Sequence, residues 1–322
     1  MKPQEEDSDD YILGETLSPI EALCPLELAG KRLDQALACL FPQYSRSRLQ
    51  EWVKAGFIVL DENIVTETRK KMRGGEIVLL RPQVRAEDLP AEAEEIQLDI
   101  RYQDSQLLII DKPAGLVVHP GSGNWRGTLL NALLHFDPEL HHIPRAGIVH
   151  RLDKNTSGLM VVARTLTAQT HLIRQLQEHS VKREYLAVAM GEIRRNAHID
   201  APIGRHFSER TKMAVTERGK PALTHYQVER NFPGATLLLC RLETGRTHQI
   251  RVHLAHLGNP LLGDPVYGRA RPNLPPFPRQ ALHACRLTLT HPVTGEIIAC
   301  ESALPEDMAN LLQELEAMRA ER

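Results

Sequence analysis

Three stretches of the 322-residue chain concentrate residues able to do chemistry within otherwise apolar surroundings. In the first, Gly147-Ile148-Val149-His150-Arg151-Leu152-Asp153-Lys154-Asn155-Thr156-Ser157-Gly158 leads into the apolar run 159–163. An aspartate flanked by cations, in a turn feeding a buried strand, can be aimed at a cleft and serve as nucleophile or general base. Equally, Asp153 can simply cap its own turn through hydrogen bonds to the backbone. The second stretch is Glu243-Thr244-Gly245-Arg246-Thr247-His248-Gln249-Ile250-Arg251-Val252-His253. Here Thr244 or Thr247 can cap a helix, Gly245 supplies a turn, and Arg246 stands where a helix N-terminus and a guanidinium together favour an anion. A phosphate, such as that of RNA, or a carboxylate can fill that place. In the third, Lys182-Arg183-Glu184-Tyr185-Leu186-Ala187-Val188, strand alternation puts Tyr185 on one face with Ala187 and Ala189, which leaves room for a flat ligand on its ring. The plainer reading of Tyr185 is a core residue.

Other chemistries find less support. His248, His253 and His256 lack the spacing and the carboxylate of a zinc-binding helix, so they read as structural or RNA-facing histidines, and no metal site is expected. The segment His119-Pro120-Gly121-Ser122-Gly123 fits neither the glycine patterns of nucleotide binding nor the GxSxG turn of a hydrolase. The five cysteines are scattered without CxxC spacing, as expected of reduced thiols in a cytoplasmic protein. No apolar run approaches the roughly 20 residues that span a bilayer, and the polar, acidic start is unlike a signal peptide, so no membrane association is expected.

The elements that must hold these residues fall into two parts. Residues 1–25 read as an acidic, disordered tail, and 26–81 as a small domain. In that domain Leu33, Leu37 and Leu40 keep helical spacing up to Pro42, Ser47 and Gln50 suggest a capping box for a second helix, and a hairpin over 57–65 precedes a strand over 76–80. Residues 82–98, with two prolines and five acids, read as a linker. From 99 to 322 short β-rich runs dominate, at 107–110, 116–118, 159–163, 185–190, 224–229, 236–242, 284–290 and 296–300. Helical patterns interrupt them at 128–136, 167–179, 247–257 and 308–318. Strands and helices do not alternate regularly, so the expected class is α+β, with a mixed, mostly antiparallel sheet. Charge divides along the same lines. Against a total of −2, residues 1–20 carry −5 and residues 82–98 carry −4, so the remainder holds +7. A basic body beside acidic flanks suits a polyanionic partner.

Taken together, the motifs resemble a known family. His150-Arg151-Leu152-Asp153 followed by Ser157-Gly158 is similar to the signature of the RluA-type pseudouridine synthases. Asp111-Lys112-Pro113-Ala114-Gly115, Arg183-Glu184-Tyr185, Gly245-Arg246-Thr247-His248-Gln249-Ile250-Arg251 and Gly263-Asp264-Pro265-Val266-Tyr267-Gly268 resemble its other motifs in the family's order. Residues 30–80 resemble the S4 domain, a small α/β RNA-binding module, with Ser45-Arg46-Ser47-Arg48 in its basic turn. The resemblance covers roughly 30–310 and implies a pseudouridine synthase fold behind an S4-like domain.

The resemblance also implies roles. Asp153 resembles the catalytic aspartate, Tyr185 the tyrosine against the target base, Arg246 the basic partner of the aspartate, and Ile250 an apolar position beneath the site. His150, Arg151 and Arg251 are expected to bind substrate, and Arg46, Arg48 and Lys54 to dock RNA from the small domain. The branch it most resembles modifies large-subunit ribosomal RNA, on a stem-loop at the subunit interface, as naked RNA or within a pre-ribosomal particle. No cofactor and no metal are needed, and a monomer in the cytoplasm is expected. Three alternatives stay open: a synthase for another ribosomal or transfer RNA site, a base-excising glycosidase, and a non-catalytic assembly factor that needs only the basic surfaces.

Overall fold

The computed structural model describes residues 11–16, 18–85, 91–121, 124–209 and 212–320. The chain divides into two compact units, 1–90 with 121–125, and 91–120 with 126–322.

The smaller unit pairs β1 (Tyr11–Thr16) with β6 (Gln83–Arg85), and stacks α1 (Leu33–Leu40) and α2 (Arg46–Lys54) beside a four-stranded sheet. That sheet runs β2 (Ile20–Leu23), β5 (Ile77–Leu80), β3 (Ile58–Leu60), β4 (Asn63–Ile64), all antiparallel. Leu33, Leu37, Leu49, Trp52, Ile58 and Val78 close its core with no exposed surface. The expectation of a disordered tail to residue 25 is corrected here, because Ile20–Leu23 is an edge strand and Cys24 is buried. Four alternating residues between two prolines give too short a pattern to recognise from sequence. Residues 1–10, where the acidic tail was expected to be disordered, lie outside the described residues. The cap of α2 is Ser45, whose hydroxyl accepts from Arg48 N, and not Ser47.

One carboxylate organises the helical face of this unit. Asp34 has no exposed side chain, and it accepts from Arg46 Nη2 at 2.7 Å, Gln50 Nε2 at 2.6 Å and Arg32 Nη2 at 3.0 Å. Burial raises its pKa, but hydrogen bonds from Arg46 and Gln50 and the two arginine charges outweigh that and leave it below the usual carboxylate range. Asp34→Ala is therefore expected to destabilise the unit by about 2 kcal/mol, less than a fully buried pair because Arg32 and Arg46 keep water contact. Urea unfolding followed by Trp52 fluorescence checks this, and an unchanged midpoint would argue against the network.

The larger unit is built on a nine-stranded sheet. Its order is β11 (Ala197–Asp200), β14 (Leu223–Phe232), β15 (Ala235–Leu242), β10 (Lys182–Met190), β16 (Leu282–Thr290), β9 (Ser157–Ala163), β8 (Leu107–Lys112) and β7 (Asp99–Gln103), with β17 (Ile297–Glu301) also on β16. Every pair is antiparallel except β16 with β9, which agrees with a mixed, mostly antiparallel α+β sheet. Beyond Ser157 and Gly158, β9 is apolar, and the whole strand is buried because both faces are covered. Alternate residues divide between two cores, Met160 and Val162 toward α3 (Leu129–Phe136), Val161 and Ala163 toward α4 (Leu166–Gln177). α6 (Glu306–Ala320) covers a third apolar cluster through Met308, Leu311 and Leu315. A separate hairpin, β12 (Ile203–Arg205) with β13 (Met213–Val215), carries Phe207 fully exposed in its loop.

Two expectations fail locally. Residues 116–118 are not a strand. The carbonyls of Val117 and Val118 instead accept from Leu129 N and Leu130 N, closing the first turn of α3 beside its cap Thr128. Nor do 82–98 form one linker. Gln83–Arg85 pairs with β1, while residues 91–98 are fastened to the larger unit, where Glu94 N donates to Asn131 O and Asn131 Nδ2 donates to Glu92 O. The acidic residues there accept backbone N–H groups such as Gly127 N, a use that composition does not reveal.

Candidate active site

A cavity of about 910 Å³ opens on the face of the large sheet that carries Tyr185, and Asp153, Arg183, Arg246, His248, Ile250 and Arg251 are among its lining residues. Asp153 reaches it from the loop before β9, and that loop is pinned residue by residue. The fully buried Lys112 donates its ammonium to Lys154 O at 3.0 Å, and also to Pro113 O and Leu116 O. Arg279 donates to Asn155 O at 3.0 Å, Gln280 to Thr156 Oγ1 at 3.1 Å, and Ser157 Oγ pairs with His283 Nδ1 at 3.0 Å. Gly158 follows because β9 must approach β16 closely at a φ of +113°. A Cβ there would lie 2.2 Å from Ala284 O. Burial pushes the Lys112 ammonium down to about 7, against the opposing pull of the Asp153 charge.

The charge partner of Asp153 is Arg251, which corrects the expectation for Arg246. Arg251 Nη1 donates to Asp153 Oδ2 at 2.9 Å. Its other edge is held bidentately by the buried Asp264, Nε to Oδ2 at 2.7 Å and Nη2 to Oδ1 at 3.0 Å. Asp264 in turn accepts from Val266 N and Tyr267 N, and the guanidinium carbon lies 5.2 Å from the Tyr267 ring centre. Burial opposes the charge on Asp264, yet the bonds and charge of Arg251 hold its carboxyl below the usual range. Arg246 instead donates Nε to Pro221 O at 3.0 Å. The reason is where the helix begins. His248 takes a left-handed conformation (φ 57°, ψ 23°), α5 (Gln249–His256) starts after it, and Arg251 rather than Arg246 is turned inward. The side chain of Gln249 accepts from Arg246 N and Thr244 Oγ1, closing the turn that the threonines were expected to cap.

The remaining expected residues are placed as follows. Tyr185 is buried at 5% exposure in one apolar cluster with Ile250, Leu152 and Ala187, and its ring borders the cavity. Burial raises its phenol pKa, so the hydroxyl keeps its proton near neutral pH. Glu184 next to it points to the other face, between Arg241 and Arg286 at 3.0 and 2.8 Å. Arg151 lines the cavity as an exposed cation. His150 also lines it, but its Nε2 accepts from Val161 N at 3.1 Å, so the ring props β9. His253 is taken up by Thr224 Oγ1 and Ala201 O. In the smaller unit Lys54 is exposed, Arg46 is tied to Asp34, and Arg48 packs its guanidinium 5.0 Å from the Trp52 ring centre. Lys112, Asp264 and Tyr267 were not assigned roles from sequence, and His248 was read only as a structural or RNA-facing histidine. The Asp-Lys-Pro and Gly-Asp-Pro-Val-Tyr runs were the available signals, and neither states what its side chains touch.

Burial, helped by the Arg183 charge, pushes His150 down to about 3. The unfolded imidazole titrates near 6.5, so its contribution to stability is complete above that pH and is lost as pH falls toward 3. One unit below the unfolded value the loss is about 1.4 kcal/mol. His150→Gln should lose that much less stability than the parent between neutral pH and about pH 5.5. Urea titrations at the two pH values decide, and an identical loss in both proteins would contradict the assignment.

Known proteins resemble the chain over most of its length. The family model described as RNA pseudouridylate synthase matches residues 106–256. The chain is 55% identical over 305 residues to the ribosomal large subunit pseudouridine synthase D of Nitrosomonas europaea, covering 93% of this chain and 88% of that one. To the protein of the same description from Escherichia coli K12 it is 50% identical over 303 residues, covering 91% and 92%. Among solved structures, human RNA pseudouridylate synthase domain containing 1 superposes with a TM-score of 0.53 at 27% identity, over 70% of this chain and 97% of that one. The ion-paired aspartate beside a buried tyrosine thus sits in a chain that belongs to the RNA pseudouridylate synthase family.

Proposed function

We propose that the chain isomerises specific uridines to pseudouridine in large-subunit ribosomal RNA, on the stem-loop at the subunit interface, with Asp153 as the group that acts at the ribose. The observation that carries this is the Asp153 carboxylate, one oxygen held by Arg251 and the other open toward a cavity bordered by Tyr185. The substrate follows from the relatives, described as large-subunit ribosomal synthases, that match nearly the whole chain.

In this reading the target uridine leaves its stack, at a cost of a few kcal/mol that is smaller in a loop than in a duplex. Its base lies against the Tyr185 ring, over Ile250. Asp153 either bonds to C1′ or takes the C2′ proton, and the C1′–N1 bond breaks. The uracil turns, and C5 bonds to C1′ as the Asp153–C1′ bond breaks or, on the second route, as Asp153 returns its proton to C2′; the C5 proton then leaves to solvent, and N1 takes up a proton. Atoms and electrons balance without an oxidant, a water or a second substrate. Arg151 contacts the RNA backbone at the cavity, and Arg46, Arg48 and Lys54 of the smaller unit add sequence-independent phosphate contacts.

Incubation with C5-tritiated uridine in large-subunit transcripts and in ribosomal particles tests the reading. Tritium should reach solvent with no free uracil formed. Free uracil would indicate a glycosidase. Tight RNA binding without tritium release from any substrate would indicate an assembly factor.

A further inference from the structure

Beside Asp153 stands a chain of groups that the reaction scheme above does not use. Met213 N in β13 donates to Tyr267 Oη at 3.0 Å. The same Oη lies 2.9 Å from His248 Nδ1, and His248 Nε2 lies 3.8 Å from Asp153 Oδ1. The two rings meet edge to face, with centres 5.7 Å apart and planes at 78°. His248 holds this place in a left-handed backbone conformation that a non-glycine residue seldom adopts, a strain typical of functional positions.

A backbone N–H can only donate, so the phenol oxygen accepts from Met213. The phenol has one proton of its own, and His248 Nδ1 at 2.9 Å can take it as acceptor. A neutral imidazole whose Nδ1 accepts carries its proton on Nε2. That proton then sits on the nitrogen 3.8 Å from Asp153 Oδ1, the oxygen not bonded to Arg251, a distance that a small approach would turn into a hydrogen bond.

We infer that His248 and Tyr267 are positioning residues for the isomerisation: Tyr267, anchored on the β12–β13 hairpin, fixes His248 in the Nε2–H tautomer, and this N–H keeps the acting oxygen of Asp153 aimed into the cavity. The inference rests on Asp153 being the acting carboxylate. Burial lowers the pKa of His248, though the Asp153 charge opposes this, so the ring is neutral at neutral pH and offers a dipole rather than a second cation. Arg251 therefore remains the cation bonded to Asp153, and His248 adds orientation.

Nitrogen-15 spectra of the full-length protein read the tautomer directly, with the His248 signals assigned by their loss in His248→Asn. The expected spectrum has Nε2 protonated and Nδ1 bare. In Tyr267→Phe the two tautomers should mix, and kcat for tritium release should fall about tenfold, the worth of one hydrogen bond. KM for RNA should change by less than about twofold, since phosphate contacts dominate affinity. His248→Asn tolerates the left-handed backbone but lacks the Nε2–H, so it should lose at least as much kcat. His248→Gln, with an amide N–H near the Nε2 position, should recover part of that loss. A protonated Nδ1 in the parent protein, or full kcat in folded Tyr267→Phe, overturns the inference. If Asp153→Asn stays active, the reading beneath it fails as well. An inactive Asp153→Asn beside a fully active Tyr267→Phe would sink the positioning role alone.

Discussion

Asp153→Asn is expected to release no tritium from C5-labelled ribosomal RNA while folding normally and binding the same RNA. The substitution keeps the shape of the side chain and removes both its charge and its basicity. An amide can neither bond to C1′ nor take the C2′ proton, so the loss of turnover should be roughly 10⁴-fold or more, the scale on which an acting group registers. The fold should tolerate the change, because Arg251 keeps its two bonds to Asp264 and the loop keeps its anchors at Lys154, Asn155, Thr156 and Ser157. RNA affinity should change little, because most of it comes from phosphates that Asp153 does not touch. Filter binding, urea unfolding and tritium release on one preparation separate these outcomes. Turnover within tenfold of the parent would remove Asp153 from the chemistry. Lost turnover together with lost binding would make it a substrate contact.

What could be read from the residues beforehand follows a physical pattern. The apolar runs 107–110 of β8 and 159–163 of β9 were legible because a stretch buried on both faces is mostly apolar. Asp153 and Tyr185 stood out because each places polar chemistry in a buried strand or at its mouth. β11, β12 and β13 went unseen, since three or four residues cannot show a period. The partner of Asp153 was misassigned for a different reason. Arg246 and Arg251 share one motif, and which of them turns inward depends on where α5 starts. That start is set by the backbone of His248 and by Asp264, which lies 13 residues beyond Arg251 in sequence. A tertiary clamp of this kind has no local signature. Likewise Lys112 reads as an ordinary cation until its burial among three carbonyls is seen.

The clamp itself supports the second large effect. Arg251→Met should abolish turnover and also destabilise the folded chain by about 3–5 kcal/mol, because removing one partner leaves a buried carboxylate uncompensated. Asp264 has no exposed side chain, and without Arg251 it keeps, among the described residues, the N–H groups of Val266 and Tyr267. Arg251→Lys keeps the charge but not the planar fork that spans Asp264 and Asp153 at once, so it should regain much of the stability and little of the rate. Arg246→Ala loses one bond to a backbone carbonyl and should leave both the fold and the Asp153 pair in place. Adding Asp264→Asn to Arg251→Met removes the stranded charge, so the double variant should be more stable than Arg251→Met and remain inactive. Recovery of turnover in that double variant would mean that Arg251 matters only for folding. A dead Arg246→Ala beside an active Arg251→Lys would return the partner role to Arg246. The contrast between the two arginines therefore separates orientation of the acting carboxylate from support of the fold, which no single substitution at Asp153 can do.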